Sequence, residues 1–529
     1  LTLQPPATLT SAPATQPATE VTLALEPGER WWGGAVEDAH ALPYGGRRFT
    51  RDLAAPHASS ALLEEGKPSN QAAPLLVSTT GRIVWSPRPF SFTFADGTLN
   101  ARGHELVSER AGSTLGEAFR AASARYFPAS GSTPARELFT APQYNTWIEQ
   151  PYHPTQASVL AYAQRILDAG MRPGTLFIDD CWSPDYGTWH FDPARFPDPA
   201  EMTRILHRQG FHVMLWVVPF VSPDSAAFRS LESEGLLVRE ASGRTAVRRW
   251  WNGLSAVLDL SHPRARTWMT DQLDRLVHDV GIDGFKFDGG DIRDFRADDL
   301  TAAGAQPVDQ CEAWASLGSR YPFNEYRASW KSGGQPLAQR LQDKPPLWGP
   351  EGIGALIPEM LAQGMIGHPY VCPDMIGGGE ITSMSTQTEI DQEFFVRYAQ
   401  VAAMAPMAQF SVLPFRVLDA RHLAAVEAAL ALRESLMPLI SQLLDNAALT
   451  GEPMLRPMEY HATGMADVTD QYFLGPDLIV APVIEPGART RVVHLPDGQW
   501  RGLDGTAYEG PCTVTADVTL DSIPRFARQ

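Results

Sequence analysis

Long apolar runs are missing from this 529-residue chain: nothing approaches the roughly 18 consecutive apolar residues of a membrane-spanning helix. Positive charge is also short. Lys and Arg number 43 against 61 Asp and Glu, a net charge of −18, which argues against a nucleic-acid or anionic-membrane partner because both need a clustered basic surface. A neutral or cationic ligand fits better. Cysteine is scarce: Cys181, Cys311, Cys372 and Cys512 form no CxxC pair and no zinc spacing, so they read as unpaired packing residues. There is no GxGxxG after the first strand of the parallel-type region and no GxxxxGKS or GxxxxGKT anywhere, which removes the usual phosphate-binding loops. No GxSxG elbow or Cys/His pairing supports acyl transfer. No internal repeat is apparent.

What is present suffices for several cores. Hydrophobic residues make up 44% and aromatics 9%, and the length points to more than one domain. Residues 1–20, rich in Pro, Thr and Ala, read as a flexible N-terminal segment. That composition suits a tether left after processing, which favours a secreted or periplasmic location over a cytoplasmic one. Residues 21–138 carry short alternating segments such as VTLALE, RIVWS and FSFTFADG between turn signals, predicting an N-terminal β-sandwich. Inside it, the glycine-rich loop at 28–46 presents Trp31, Trp32, Glu37 and Asp38, which either reach a neighbouring site or pack on their own domain.

From 139 to 443 the pattern changes to strands alternating with amphipathic helices. Strands are predicted at 140–148, 174–180, 211–221, 284–290, 324–330, 345–349, 369–375 and 408–415. Eight such units make a (β/α)8 TIM barrel, with an open doubly wound sheet as the alternative. An insertion near 236–260 carries Trp250 and Trp251 at its tip, and 444–529 reads as a small C-terminal β-domain.

The stretch GIDGFKFDGGD, residues 281–291, looks like a buried strand with charges on it. Side chains alternate along a strand, so Phe285 and Phe287 share one face while Lys286 and Asp288 share the other, toward the barrel axis. The structural alternative is a buried salt bridge, costly in desolvation. Asp291 follows two glycines and reads equally as a functional acid or a helix cap. Other predicted strands also end in polar or aromatic residues: Trp147, Asp179 and Asp180, Trp216, Arg327 and Trp330, and Asp374. Carboxylates, a Lys, an Arg and several tryptophans together suit a sugar, whose hydroxyls take hydrogen bonds from charged groups and whose ring face stacks on aromatics. No His cluster sits at these strand ends, so a metallohydrolase loses its usual ligands. Glycoside hydrolysis needs two carboxyls. Asp288 is the first candidate; Asp343, in the loop between predicted strands five and six, is offered as the second, although taken alone it reads as an ordinary loop acid beside Lys344.

These residues resemble glycoside hydrolase family 31 across the barrel and both flanking domains. The motifs are FIDDCWSPDYGTWHFDPARFPDP, GFHVMLWVVPFVSPDS, GFKFDGGD, the loop beginning RASW, and GHPYVCPDMIGG. The resemblance implies Asp288 as nucleophile and Asp343, five residues before Trp348, as general acid/base. It also implies substrate-binding roles for Arg327, Asp179, Asp180 and Asp374. Lys286-Phe287-Asp288-Gly289-Gly290-Asp291 and QRLQDK depart from the family's common α-glucosidase pattern. They look like its branch of bacterial α-galactosidases and the animal myogenesis-regulating glycosidase. In that branch, residues matching Trp147, Trp251 and Asp38 shape the sugar pocket; Trp216 and Lys286 complete the candidate substrate-binding set.

The resemblance therefore implies a retaining α-galactosidase acting on an oligosaccharide or glycoside substrate, with no cofactor required by the chemistry. Lys286 and Arg327 are expected to favour ionised Asp288, and nearby negative charge to raise Asp343. The alternatives are another α-glycosidase of the family, acting on glucosides, xylosides or N-acetylgalactosaminides, and a carbohydrate-binding protein without catalysis. A sulfonated sugar would call for extra cationic residues, and no such set is evident.

Overall fold

The structure, a computed structural model, describes residues 18–53, 70–381 and 389–529. Residues 1–17 of the Pro/Thr/Ala-rich segment lie outside the described residues, and Thr19 and Glu20 already belong to the first strand. The N-terminal strands are β1 (Thr19–Ala24), β2 (Trp31–Ala35), β3 (Phe49–Asp52), β4 (Gln71–Ser78), β5 (Arg82–Trp85), β6 (Phe90–Ala95), β7 (Thr98–Gly103) and β8 (Val107–Arg110). One sheet runs β1-β7-β6-β3; the other contains β4, β5 and β8, with β2 also paired to β4. Alternation in β6 turns Phe90, Phe92 and Phe94 inward, as period-2 patterning requires. Trp31 and Trp32, expected on a loop, lie instead in β2 and are buried. Antiparallel pairing of Trp31 with Ser78 and Trp32 with Val77 fixes them in their own domain.

Eight parallel strands form the barrel: β9 (Gln143–Asn145), β10 (Thr175–Ile178), β11 (His212–Val217), then β15 (Gly284–Phe287), β16 (Phe323–Tyr326), β18 (Gln339–Arg340), β19 (Val371–Cys372) and β20 (Gln409–Phe410). The sheet order is β19-β18-β16-β15-β11-β10-β9-β20. The ring is closed by the bridge from Ile376 to Phe410, with Ile376 N–H donating to Gln409 O at 2.8 Å. Helices cover the outside. The helix Gln156–Asp168 is representative: Thr155 and Ser158 form its capping box, while Val159, Tyr162, Ala163 and Ile166 bury one face at three- and four-residue spacing. Between β11 and β15 the insertion folds as β12 (Phe220–Val221), β13 (Val247–Trp250) and β14 (Gly253–Val257).

Two predicted strands differ. The fifth ends at Tyr326, and Ser329–Trp330, β17, leaves the barrel to pair in parallel with β4, so Trp330 is buried in the N-terminal core instead of facing the barrel mouth. The sixth is Gln339–Arg340, not residues 345–349. Pro345 and Pro346 have no N–H to give a central ladder, which disqualifies that stretch. Among the described residues no helix lies between β16 and β18; the chain passes through the N-terminal sheet instead. Asp343 therefore follows strand six and stands at its C-terminal end.

The C-terminal strands, β21 (Leu455–Pro457), β22 (Tyr472–Leu474), β23 (Leu478–Val480), β24 (Thr490–Arg501), β25 (Ala507–Asp517) and β26 (Arg525–Arg528), make one antiparallel sheet around Phe473, Trp500 and Phe526. Among the described residues no helix is long and apolar enough to cross a membrane.

Candidate active site

Strand β15 separates its side chains by chemistry. Phe287 lies against Trp314 and Tyr326, and Phe285 against Tyr321, which leaves Lys286 for the barrel interior. Asp288 follows at the strand's C-terminal end, and Gly289 and Gly290 then turn the chain with φ of 59° and 70°. Added Cβ atoms there would meet Phe220 at 2.9 Å and Trp314 at 2.6 Å, so conformation and space both call for glycine.

The two charges of β15 do not serve each other as direct ion-pair partners. Lys286 Nζ lies 2.7 Å from Asp179 Oδ2 at the end of β10, both residues being less than 5% exposed. Asp288 is held by Arg327 Nη2 at 2.7 Å and by the Trp216 indole N–H, which donates to its Oδ2 at 2.9 Å. Burial opposes ionisation of Asp288, but Arg327, Lys286, Arg340 and the indole outweigh it and hold its carboxyl well below the usual range.

Asp343 stands by the other terminal nitrogen of the same guanidinium, with Arg327 Nη1 at 3.7 Å. One arginine thus lies between both candidate catalytic carboxylates. Arg340 Nη1 donates to Asp343 Oδ1 and to Asp374 Oδ1, each at 2.8 Å, while its Nε donates to Glu325 Oε1 at 3.1 Å. The expectation for Asp343 is corrected here: burial pushes it up, but Arg340, Arg327 and Lys286 prevail and lower it. The raised carboxyl is Asp374, pushed up to about 7 by burial and by the charge of Asp343. Asp374 is wholly buried and also accepts backbone N–H donation from Lys344, Met375 and Gly379. Through Lys344 it ties down the loop that carries Asp343.

The remaining candidates surround this centre unevenly. Asp180 accepts from the Tyr186 hydroxyl and from Asn252 in the insertion, and burial together with Asp179 pushes it up to about 6. Trp251 stacks its ring under Arg327, 5.1 Å from the guanidinium carbon, so the insertion reaches the site. Trp147 follows β9 and donates its indole N–H to Gly379 O at 2.9 Å. Asp38 is apart from this network: it sits in a buried 3-10 turn, and its carboxylate is taken up by Arg51 and Tyr44 of its own domain. Asp291 caps the 3-10 turn Ile292–Asp294, its N–H donating to Asp294 Oδ2 at 2.9 Å.

Arg340, Glu325, Tyr186 and Asn252 were not singled out in the sequence. For Arg340 a signal existed, since QRLQDK places it three residues before Asp343, but a sixth strand set at 345–349 hid its position at a strand end. For Asn252, which reaches the site only through the fold of the insertion, there was none.

A closed (β/α)8 barrel with two carboxylates on one guanidinium at its C-terminal mouth, ringed by acids and tryptophans, defines the class of carbohydrate-active barrels. Residues 141–443 match the model described as the glycosyl hydrolases family 31 TIM-barrel domain, and residues 451–529 match that of the family 31 C-terminal domain. The chain belongs to glycoside hydrolase family 31. It is 35% identical over 419 residues to the myogenesis-regulating glycosidase of Mus musculus, covering 76% of this chain and 58% of that one. It is 28% identical over 392 residues to the 1,3-alpha-isomaltosidase of Kribbella flavida, covering 66% and 51%. The chain thus spans little more than half the length of these curated relatives. In fold it resembles a family 31 dextranase of Flavobacterium johnsoniae complexed with glucose, with a TM-score of 0.84, 18% identity, and coverage of 97% of this chain and 67% of that one. It also resembles a family 31 sulfoquinovosidase from E. rectale, with a TM-score of 0.81, 19% identity and coverage of 97% and 82%.

Proposed function

We propose that this chain is a retaining α-glycoside hydrolase that removes terminal α-linked galactose. The observation that carries the hydrolase reading is the placement of Asp288 and Asp343 on either side of Arg327 at the barrel mouth. In the first step Asp288, kept ionised by Arg327, Lys286 and Trp216, attacks the anomeric carbon while protonated Asp343 gives its proton to the departing glycosidic oxygen. In the second, Asp343 takes a proton from water, which attacks the same carbon and releases Asp288. Trp147, Trp216 and Trp251 offer apolar faces to the sugar, and Asp179, Asp180, Lys286 and Arg327 supply charge and hydrogen bonds around it; Asp374, wholly buried, serves the substrate site through Arg340 and the loop that carries Asp343. Asp38 belongs to the proposed set only through its domain's contact with the barrel.

The galactose reading rests on Lys286-Phe287-Asp288-Gly289-Gly290-Asp291 and QRLQDK, which resemble the family's α-galactosidase branch. An axial O4 would leave a glucose-shaped site with unpaired polar groups, a mismatch that discriminates strongly. The test is hydrolysis of aryl α-galactoside, α-glucoside, α-xyloside and α-N-acetylgalactosaminide by wild type and by Asp288→Ala. Release from the galactoside, lost in the variant, is expected. Preference for another sugar keeps the mechanism and rejects the substrate; sugar binding without turnover of any compound favours a binding protein.

A further inference from the structure

We infer that Arg340 is a positioning residue that yokes Asp343 to Asp374, so that the two carboxyls carry one proton between them and Asp374 governs when Asp343 holds it. The inference deepens the retaining-hydrolase reading above and rests on it. Arg340 is fully buried, and its Nε on Glu325 fixes the plane of the guanidinium. Its Nη1 then faces three acceptors, Asp343 Oδ1 and Asp374 Oδ1 at 2.8 Å and Leu341 O at 3.1 Å. An amino group with two hydrogens cannot fully satisfy three acceptors, so Asp343, which lacks the backbone donors of Asp374, is the underserved anion, and one proton on the pair relieves the shortage.

The partners are unequal in access. Asp374 is sealed, whereas the Asp343 side chain is 24% exposed and alone can meet a substrate. Asp374 nevertheless has a ready place for negative charge: the backbone N–H groups of Lys344, Met375 and Gly379 all donate to it at 2.6–2.7 Å. With the pair's proton on Asp343, which alone can exchange it with substrate or water, Asp374 is a well-supported anion. The other groups facing Asp343 are Arg327 beyond β16, and Lys286 and Asp288 on and beyond β15; Glu325 on β16 faces it through Arg340. A pair this close titrates as a unit, and burial together with the mutual repulsion of the two carboxylates holds its last proton above the usual carboxylate range. That explains how an acid drawn down by two guanidinium groups still serves as a donor near neutrality.

The balance closes over the cycle. Asp343 gives the pair's proton to the glycosidic oxygen as the C1–O bond breaks and the Asp288–C1 bond forms, leaving both carboxylates charged on Arg340. A proton from the attacking water returns to Asp343 as the water oxygen bonds to C1 and the Asp288–C1 bond breaks.

The test is the pH profile of kcat/KM for Asp374→Asn, Arg340→Met and Arg340→Lys on an aryl glycoside with a poor leaving group. The alkaline limb reports loss of the acid's proton. Asp374→Asn removes the neighbouring anion, so the limb moves down by about one pH unit or more; Arg340→Met removes the cation, so it moves up. Opposite shifts are not what general damage to the fold produces. Should Arg340→Met fail to fold, Arg340→Lys, which keeps the charge but loses the fork, moves the limb upward by less. Limbs unchanged from wild type in Asp374→Asn and in the folded Arg340 variant, or shifted in one direction in both, overturn the inference. Asp343→Ala separates it from the reading beneath: undiminished activity of that variant on the poor leaving group refutes the acid/base assignment itself.

Discussion

Replacing Lys286 by Met tests whether the charges of β15 are held as the structure describes. The substitution keeps most of the stem and deletes the ammonium. Lys286 is 4% and Asp179 3% exposed, and their charged atoms are 2.7 Å apart, so water cannot take over the abandoned carboxylate. Removing one partner of such a pair costs about 3–5 kcal/mol, because the other charge stays buried and uncompensated. Adding Asp179→Asn removes the stranded charge, and the double variant is expected to regain the greater part of that loss. The assay is urea denaturation at pH 7 followed by tryptophan fluorescence and activity. A second readout bears on catalysis. Lys286 is one of the cations that lower Asp288; without it the Asp288 carboxyl rises, and with Asp288 in its proposed role the acid limb of kcat/KM moves to higher pH. A single variant within about 1 kcal/mol of wild type, or a double variant less stable than the single, would show that Lys286 does not compensate a buried Asp179 charge.

Two further outcomes follow from the site. Asp180 is raised from 3.8 to about 6 by burial and by Asp179, so its contribution to stability is full below about pH 4 and is lost as pH rises through 6, on the order of 2–3 kcal/mol. Asp180→Asn should therefore lose less thermal stability than wild type between pH 4 and pH 7 in melting experiments, and parallel curves would contradict the burial argument. Arg327→Lys replaces a fork that reaches both Asp288 and Asp343 with a point charge that cannot span them. Losing one such charged contact at about 1.5–3 kcal/mol lowers kcat/KM roughly 10- to 150-fold, and a change under about threefold would show that the bridge is idle.

How far the sequence disclosed this site depends on the kind of signal each residue left. Alternating Phe and charged residues in GFKFDGGD reveal a strand with one aromatic and one charged face, because a two-residue period is local information. The (β/α)8 architecture followed from alternation repeated over three hundred residues. The family assignment rested on several motifs in order, and the two matched domains bear it out. Pairing was less legible. Lys286 and Asp288 were read as neighbours sharing a face, yet each found its strong partner on another strand, at Asp179 and Arg327. The sixth strand was missed because two residues, Gln339 and Arg340, leave no periodic trace, while the apolar PPLWG stretch beside them looked better. Trp330 was assigned to the barrel mouth because nothing in RASW says that the chain there changes sheets. The balance of charge around Asp343 depends on Arg340 and Asp374 arriving from two different strands, which spacing alone does not express.

In the proposed mechanism Asp288 carries the covalent glycosyl intermediate. Incubation with a 5-fluoro-α-galactosyl fluoride, followed by peptide mass spectrometry, tests it most directly, since the fluorine slows breakdown of a glycosyl ester and lets it accumulate. One added sugar on the peptide containing Asp288, and none in Asp288→Ala, is expected. Stoichiometric labelling of another carboxylate, or steady turnover with release of the inverted anomer and no label, would contradict it.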